Sequence, residues 1–293
     1  PIGSRGLGDV YKRQGQDYAN NPSNIATIEG ITYDNEPPEI SISRPIDAEQ
    51  IKSTVISYTL SEDLFEATAV FTQTSGTVDP NSPHRVPLSV KELKKGAHTD
   101  FDLGITSQLA DGGRYRVTIE GKDRAGNNAV VSEINDVFFD LLPPVISIDS
   151  PASGSRINLP IVTYATNEEL GEGNITFTRT GGTQDPDSPH VVNLSGQRLK
   201  QGTRYDETFE SDLQLKDGSV YSISFGAQDM AGNIATDVSI QNITFDSSAP
   251  QLSITSPLSP TFTNDLMVEY STNENLSKGV IFVDELDEVP DGK

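Results

Sequence analysis

The chain has 293 residues with 43 acidic against 21 basic side chains, a formal net charge of −22, and neither cysteine nor tryptophan. That charge repels nucleic acid and no basic stripe offsets it, while the lack of cysteine excludes disulfides and thiolate metal sites. No apolar run is long enough to span a bilayer.

A long internal period organises the rest. Asp17, Asp123 and Asp229 each begin a D-x-A-x-N turn, and 123 − 17 = 229 − 123 = 106. The same step relates Asp34, Asp140 and Asp246, then Pro38, Pro144 and Pro250, then Tyr58, Tyr164 and Tyr270, then Glu62, Glu168 and Glu274. A fixed period of this size means repeated domains, and internal copies report first what each copy needs to fold and join.

In chain order, residues 1–14 fall outside the fold. SRGLGDVYKRQ from Ser4 reads as a translated sequencing adapter and is expected to make no packing contacts. Residues 15–36 read as the closing hairpin of a truncated repeat. Residues 37–142 form a complete unit. Its strand A is EISIS from Glu39, its strand B is TVISYTL from Thr54, and its strand C is ATAVFTQ from Ala67. DPNSPH from Asp79 is dense in turn formers and reads as a loop. A short strand follows at Val86 and Leu88, Gly96 breaks it, and Phe101, Leu103 and Ile105 alternate in the next. Tyr115, Val117 and Ile119 face inward on strand F, and strand G ends at Val137 and Phe139. Residues 143–248 repeat the layout, and 249–293 hold the first strands of a further, truncated unit. Seven short strands per unit, without helical spacing, predict an all-β chain of tandem immunoglobulin-like Greek-key β-sandwiches. LADGGRY (Leu109–Tyr115) and LKDGSVY (Leu215–Tyr221) carry the spacing of a tyrosine corner, which supports that strand order.

The D-x-A-G-N turn, the strand ending F-D-x-x-x-P (Phe139 to Pro144) and the following I-x-I-x-x-P (Ile146 to Pro151) resemble tandem bacterial immunoglobulin-like repeats of the hyalin-repeat and cadherin-like group, over residues 15–293. The resemblance implies a segment of a large bacterial cell-surface or secreted protein, an adhesin or stalk, or a non-catalytic spacer in a secreted enzyme.

No catalytic constellation stands out. His84 and His190 share one S-P-H position at a strand start, His98 has no counterpart in the next unit, and no acid–base set accompanies any of them. Glycines fall at turns without phosphate-loop spacing. The chain therefore reads as a non-enzyme. The joints offer more, because the B–C loop, the F–G loop and the start of strand A share one end of such a sandwich. Asp34, Glu62, Asp63, Asp123 and Asn127 meet there in one unit. Asp111, Asp140, Glu168, Glu169, Asp229 and Asn233 meet at the next joint. Clustered hard oxygens suit Ca²⁺, in an arrangement similar to the rigidified junctions of cadherins. The competing reading is that each Asp and Asn caps its own turn.

These features predict a structural or adhesive stalk whose partners are the neighbouring repeats and a surface glycan or protein ligand. The alternative is a carbohydrate- or ligand-binding accessory module of a secreted enzyme, with loops such as DPNSPH gripping a sugar. The scarcity of loop aromatics, which would stack on a sugar ring, weighs against it.

Overall fold

A computed structural model describes residues 9–209, 211, 213–259 and 267–282. Among these the regular structure is strand, apart from two 3-10 turns at Thr106–Gln108 and Gly196–Leu199. Alternation along each strand decides the architecture. Odd positions of the Ser219–Asp229 strand are buried and even positions half-exposed throughout, so one face must meet a second sheet.

Strands β1 (Asp9–Arg13) and β2 (Ala26–Ile31) form an antiparallel pair whose β2 side chains are all exposed. Residues 1–14 are expected to make no packing contacts, and Asp9–Arg13 nonetheless pair through the backbone with β2. An isolated strand presents a row of unmet N–H and C=O groups, and the adjacent extended chain satisfies them whatever its origin. Residues 1–8 of that segment lie outside the described residues.

The first sandwich comprises β3 (Glu39–Arg44), β4 (Gln50–Ile51), β5 (Val55–Leu60), β6 (Glu66–Gly76), β7 (His84–Pro87), β8 (Gly96–Asp102), β9 (Gly113–Lys122), β10 (Val130–Val131) and β11 (Glu133–Phe139). One sheet runs β10-β3-β5-β8 and the other β4-β11-β9-β6-β7. Between them lies a core that includes Ile56, Tyr58, Phe71, Tyr115, Val117, Ile119 and Phe139. One strand differs from its predicted bounds. Leu103 and Ile105 are buried, but from the segment after β8, because the Asp102 carboxylate accepts the Gly104 N–H at 2.9 Å and turns the chain out of the sheet.

The second sandwich follows the same plan. Strands β12 (Ile146–Ser150), β13 (Arg156–Ile157), β14 (Ile161–Thr166), β15 (Leu170–Gly182), β16 (His190–Asn193), β17 (Gly202–Thr208), β18 (Ser219–Asp229) and β19 (Val238–Phe245) form sheets β12-β14-β17 and β13-β19-β18-β15-β16. Its core, built on Tyr164, Phe177, Tyr221, Ile223 and Phe225, shares no residue with the first. Finally, β20 (Leu252–Ser256) and β21 (Glu269–Thr272) pair with Leu252, Ile254 and Tyr270 exposed. The expected third strand of that unit is not formed at Val280–Phe282, and its continuation from residue 283 lies outside the described residues.

Candidate functional site

The repeated D-x-A-x-N turn is one hydrogen-bonded unit used three times. Asp17, Asp123 and Asp229 each accept the backbone N–H of the Asn four residues on with one carboxylate oxygen, at 2.8–2.9 Å, and its side-chain amide with the other. In the two complete sandwiches that amide has a second acceptor. Asn127 Nδ2 donates to the Asp34 carbonyl at 3.1 Å, and Asn233 Nδ2 to the Asp140 carbonyl at 2.9 Å. The asparagine thus staples the incoming linker to the turn. That contact places the linker carboxylate beside the turn carboxylate, and the β5–β6 or β14–β15 turn adds a glutamate.

Two equivalent groups result. Carboxylate oxygens of Asp34, Glu62 and Asp123 all lie within 4.8 Å of one another, as do those of Asp140, Glu168 and Asp229. Asp123, Asp140 and Asp229 are buried. Burial works against the Asp123 anion, but the hydrogen bonds from Asn127 and from the turn N–H groups outweigh it and hold its pKa below the ordinary value. Asp140 and Glu168 go the other way. Burial first, and then the neighbouring charges of Asp229 and Asp111 (with Asp140 acting on Glu168), raise both above the usual carboxylate range. Repulsion among the carboxylates adds to the burial that is the larger cause. Two like charges 4 to 5 Å apart cost roughly 3 kcal/mol at an effective dielectric of about 20.

The other candidates have other occupations. Asp63 pairs with Lys94 Nζ at 2.8 Å and accepts the Lys95 N–H, and the equivalent Glu169 pairs with Lys200. Both are drawn to the β7–β8 and β16–β17 connections and away from the groups of three. Asp111 accepts the Leu141 N–H at 2.7 Å, anchoring the start of the linker, and its charge still reaches the second group. Asn127 and Asn233 act as the staples. Lys52, which sequence reasoning missed, donates from the first sandwich to the Gly232 carbonyl in the turn of the second.

A second repeated network was also missed. Tyr115 and Tyr221 form the expected corners, their hydroxyls accepting the N–H of Ala110 at 2.8 Å and of Lys216 at 3.0 Å. Each hydroxyl also donates to a buried aspartate, Tyr115 to Asp79 at 2.7 Å and Tyr221 to Asp185 at 2.5 Å. Those aspartates in turn bond His84 at 2.6 Å and His190 at 2.7 Å. The ends of the DPNSPH loop therefore point into the sandwich, and neither Asp79 nor His84 is presented to a ligand. The signal was available in the identical D-P and S-P-H positions of both copies.

Fold and repeat together define the class: consecutive immunoglobulin-like β-sandwiches built on one plan. Residues 97–239, reaching from the first sandwich into the second, match the family model described as bacterial Ig-like domain (group 3). Among solved structures the chain is similar to the FN1–FN3 domains of chicken CNTN1, at 14% identity and a TM-score of 0.32, covering 81% of this chain and 78% of that one. It is also similar to the fibronectin(III)-like modules of Clostridium thermocellum CbhA, at 12% identity and a TM-score of 0.36, covering 71% of this chain and 94% of the other. No curated protein matches. No helix among the described residues is long and apolar enough to cross a membrane.

Proposed function

We propose that this segment is a non-catalytic stalk of a bacterial cell-surface or secreted protein, in which Ca²⁺ stiffens the joints between sandwiches. One observation carries the reading: two repeat-related groups of three carboxylates, each joining a linker to the sandwich that follows it. A stalk must resist bending at its joints, and a cation held by groups on both sides of a joint links them. Ca²⁺ takes six to eight oxygens, and here the linker carbonyls and water would complete the three carboxylates. The cation also turns the repulsion within each group into attraction.

Glu168→Gln tests this, because the Glu168 carboxylate holds no turn together. Calorimetric titration of the full chain with CaCl₂ is expected to give two sites, and the E168Q chain one. In chelator, E168Q should melt at or above the wild-type temperature, because a repelling charge has gone. In saturating Ca²⁺ it should melt below wild type, since binding to the folded form raises stability by mass action. No heat of binding, or melting that is the same in Ca²⁺ and chelator for both proteins, would overturn the calcium reading and leave the aspartates of these groups as turn caps.

A further inference from the structure

The two sandwiches have equivalent but separate cores and differ on one outer face, the solvent side of the five-stranded sheet. In the first sandwich this face is a set of ion pairs across neighbouring strands: Arg85 with Glu120, Lys122 with Glu66 at 3.0 Å, and Arg116 with Glu133 at 4.0 Å. Adding 106 gives the second sandwich, where the pairs become Val191 with Gly226, Gln228 with Glu172, and Ser222 with Ser239. Five of the six charged groups are gone, and two of the pairs have lost both partners. Exposed ion pairs are worth about 0–1 kcal/mol each, so stability does not account for so concerted a change.

What replaces them is a face of hydroxyls and amides with a hollow flanked by the carboxylates of Glu172 and Asp237. Strand pairing sets Asn193, Asn174 and Gly226 in one row across β16, β15 and β18. Asp237 closes the row beside Gly226, whose missing side chain leaves the space. A Cβ there would lie 3.0 Å from Asp237 Oδ1 and 3.7 Å from both side-chain polar atoms of Asn174. The hollow measures about 220 Å³, and Glu172, Gln228 and the exposed Ile234 complete its wall. Glu172, Gln228 and Asp237 make no side-chain hydrogen bond or ion pair among the described residues. The adjoining row is already ordered, with Gln241 Nε2 donating to Ser222 at 3.0 Å and to Ser239 at 3.2 Å.

We propose that this face of the second sandwich binds a neutral oligosaccharide, with one sugar ring in the hollow at Gly226 and the chain lying across β15, β18 and β19. The space is far larger than a bare cation needs, since about 10–15 Å³ of such volume already holds a water. The Gln228 amide, the Asn174 Nδ2 donor and the Glu172 and Asp237 carboxylates match the paired donors and acceptors of vicinal hydroxyls, while Asn174 Oδ1 already accepts from Thr176 Oγ1 at 3.3 Å. Glu172 and Asp237 repel an anionic glycan. Ile234 supplies an apolar edge but no ring platform. Recognition is therefore led by hydrogen bonds and is weak at this single site. The proposal is independent of the cation at the joints.

The test is NMR titration of the ¹⁵N-labelled full chain, in chelator, with cellohexaose, xylohexaose, mannohexaose and maltohexaose, with a hyaluronan hexasaccharide, and separately with CaCl₂. At least one neutral hexaose is expected to bind with a Kd on the order of 1 mM or tighter, shifting amides of β15, β18 and β19. Gly226→Glu restores the residue of the first sandwich and should weaken binding at least about tenfold, while Glu120→Gly leaves it unchanged. Asp237→Ala, which does not fill the hollow, should weaken it at least about threefold. The proposal is overturned if no neutral hexaose shifts these amides at about 10 mM, or if G226E and D237A both bind as wild type does. It is equally overturned if the acidic hexasaccharide binds as well as the neutral ones, or if only CaCl₂ moves these amides.

Discussion

Tyr115 ties two loops to the core with one hydroxyl, accepting from the corner and donating to Asp79. Tyr115→Phe removes both bonds and leaves a buried carboxylate short of a donor. It should destabilise the first sandwich by about 1.5–3 kcal/mol, read as a lower denaturation midpoint with unchanged slope. The pH dependence has a definite sign. Burial acts to raise Asp79, but the Tyr115 hydroxyl, His84 and the Asn81 N–H outweigh it and hold its pKa below the ordinary value. A depressed folded pKa means that the stabilisation is full above the unfolded carboxylate value and is lost as pH falls through the folded one. The gap between wild type and Y115F should therefore hold constant from neutral pH down to the usual carboxylate range and narrow below it. A gap that widens on acidification would show that Asp79 is not the group holding the latch. The corner was legible, because Leu and Tyr at fixed spacing around an Asp-Gly turn have one common use. Its buried partners were not, since an Asp and a His in a Pro-rich loop look solvated until the loop is seen to fold inward.

At the scale of elements, the hairpin ends show why copies repeat their glycines. Gly182, at the end of β15, has φ of +67° and packs directly against the Gly218 carbonyl, as Gly76, with φ of +81°, packs against Gly112. Gly196 also has positive φ, +57°, but would meet nothing within 4 Å. Gly196→Ala should thus cost the left-handed strain alone, about 1–2 kcal/mol. Gly182→Ala adds a backbone collision and should cost at least about 1 kcal/mol more. Equal losses in denaturant titrations would mean that the hairpin end opens freely. Strand alternation and the period of 106 made the sandwich readable in advance, because both arise from backbone geometry and burial. The bounds of β8 were not, since Leu103 and Ile105 keep the alternation after Asp102 has ended the strand. At the joints, six of the eleven candidate oxygen donors fall into the two groups of three. Asp63 and Glu169 do not, because the lysines they meet lie 31 residues on and only the folded connection brings them close.

For the whole molecule the question is how freely one sandwich swings against the next. Three features act on the joint between them: the Pro143-Pro144 linker, the Asn233 staple to Asp140, and Lys52 reaching the turn of the next sandwich. Proline fixes φ at two linker positions and limits bending without choosing an angle. Asn233 and Lys52 favour one angle, while repulsion among Asp140, Glu168 and Asp229 opposes bringing linker and sandwich together. Above the raised pKa values of Asp140 and Glu168 that repulsion is fully present. As pH falls through them toward the unfolded value it is relieved, so the metal-free joint should tighten on mild acidification. With Ca²⁺ bound the sign reverses, because protons compete with the cation. Since the chain has no cysteine, Lys91→Cys and Gln197→Cys introduce spin labels only at these exposed, repeat-equivalent positions. Pulsed dipolar spectroscopy should give a broad distance distribution in chelator at neutral pH, a narrower one at mildly acidic pH, and the narrowest in Ca²⁺ at neutral pH. Lys52→Ala should broaden the chelator distribution and change the Ca²⁺ distribution little, since the cation then carries the joint. A width indifferent to Ca²⁺ and pH would assign the stiffness to the prolines and staples alone.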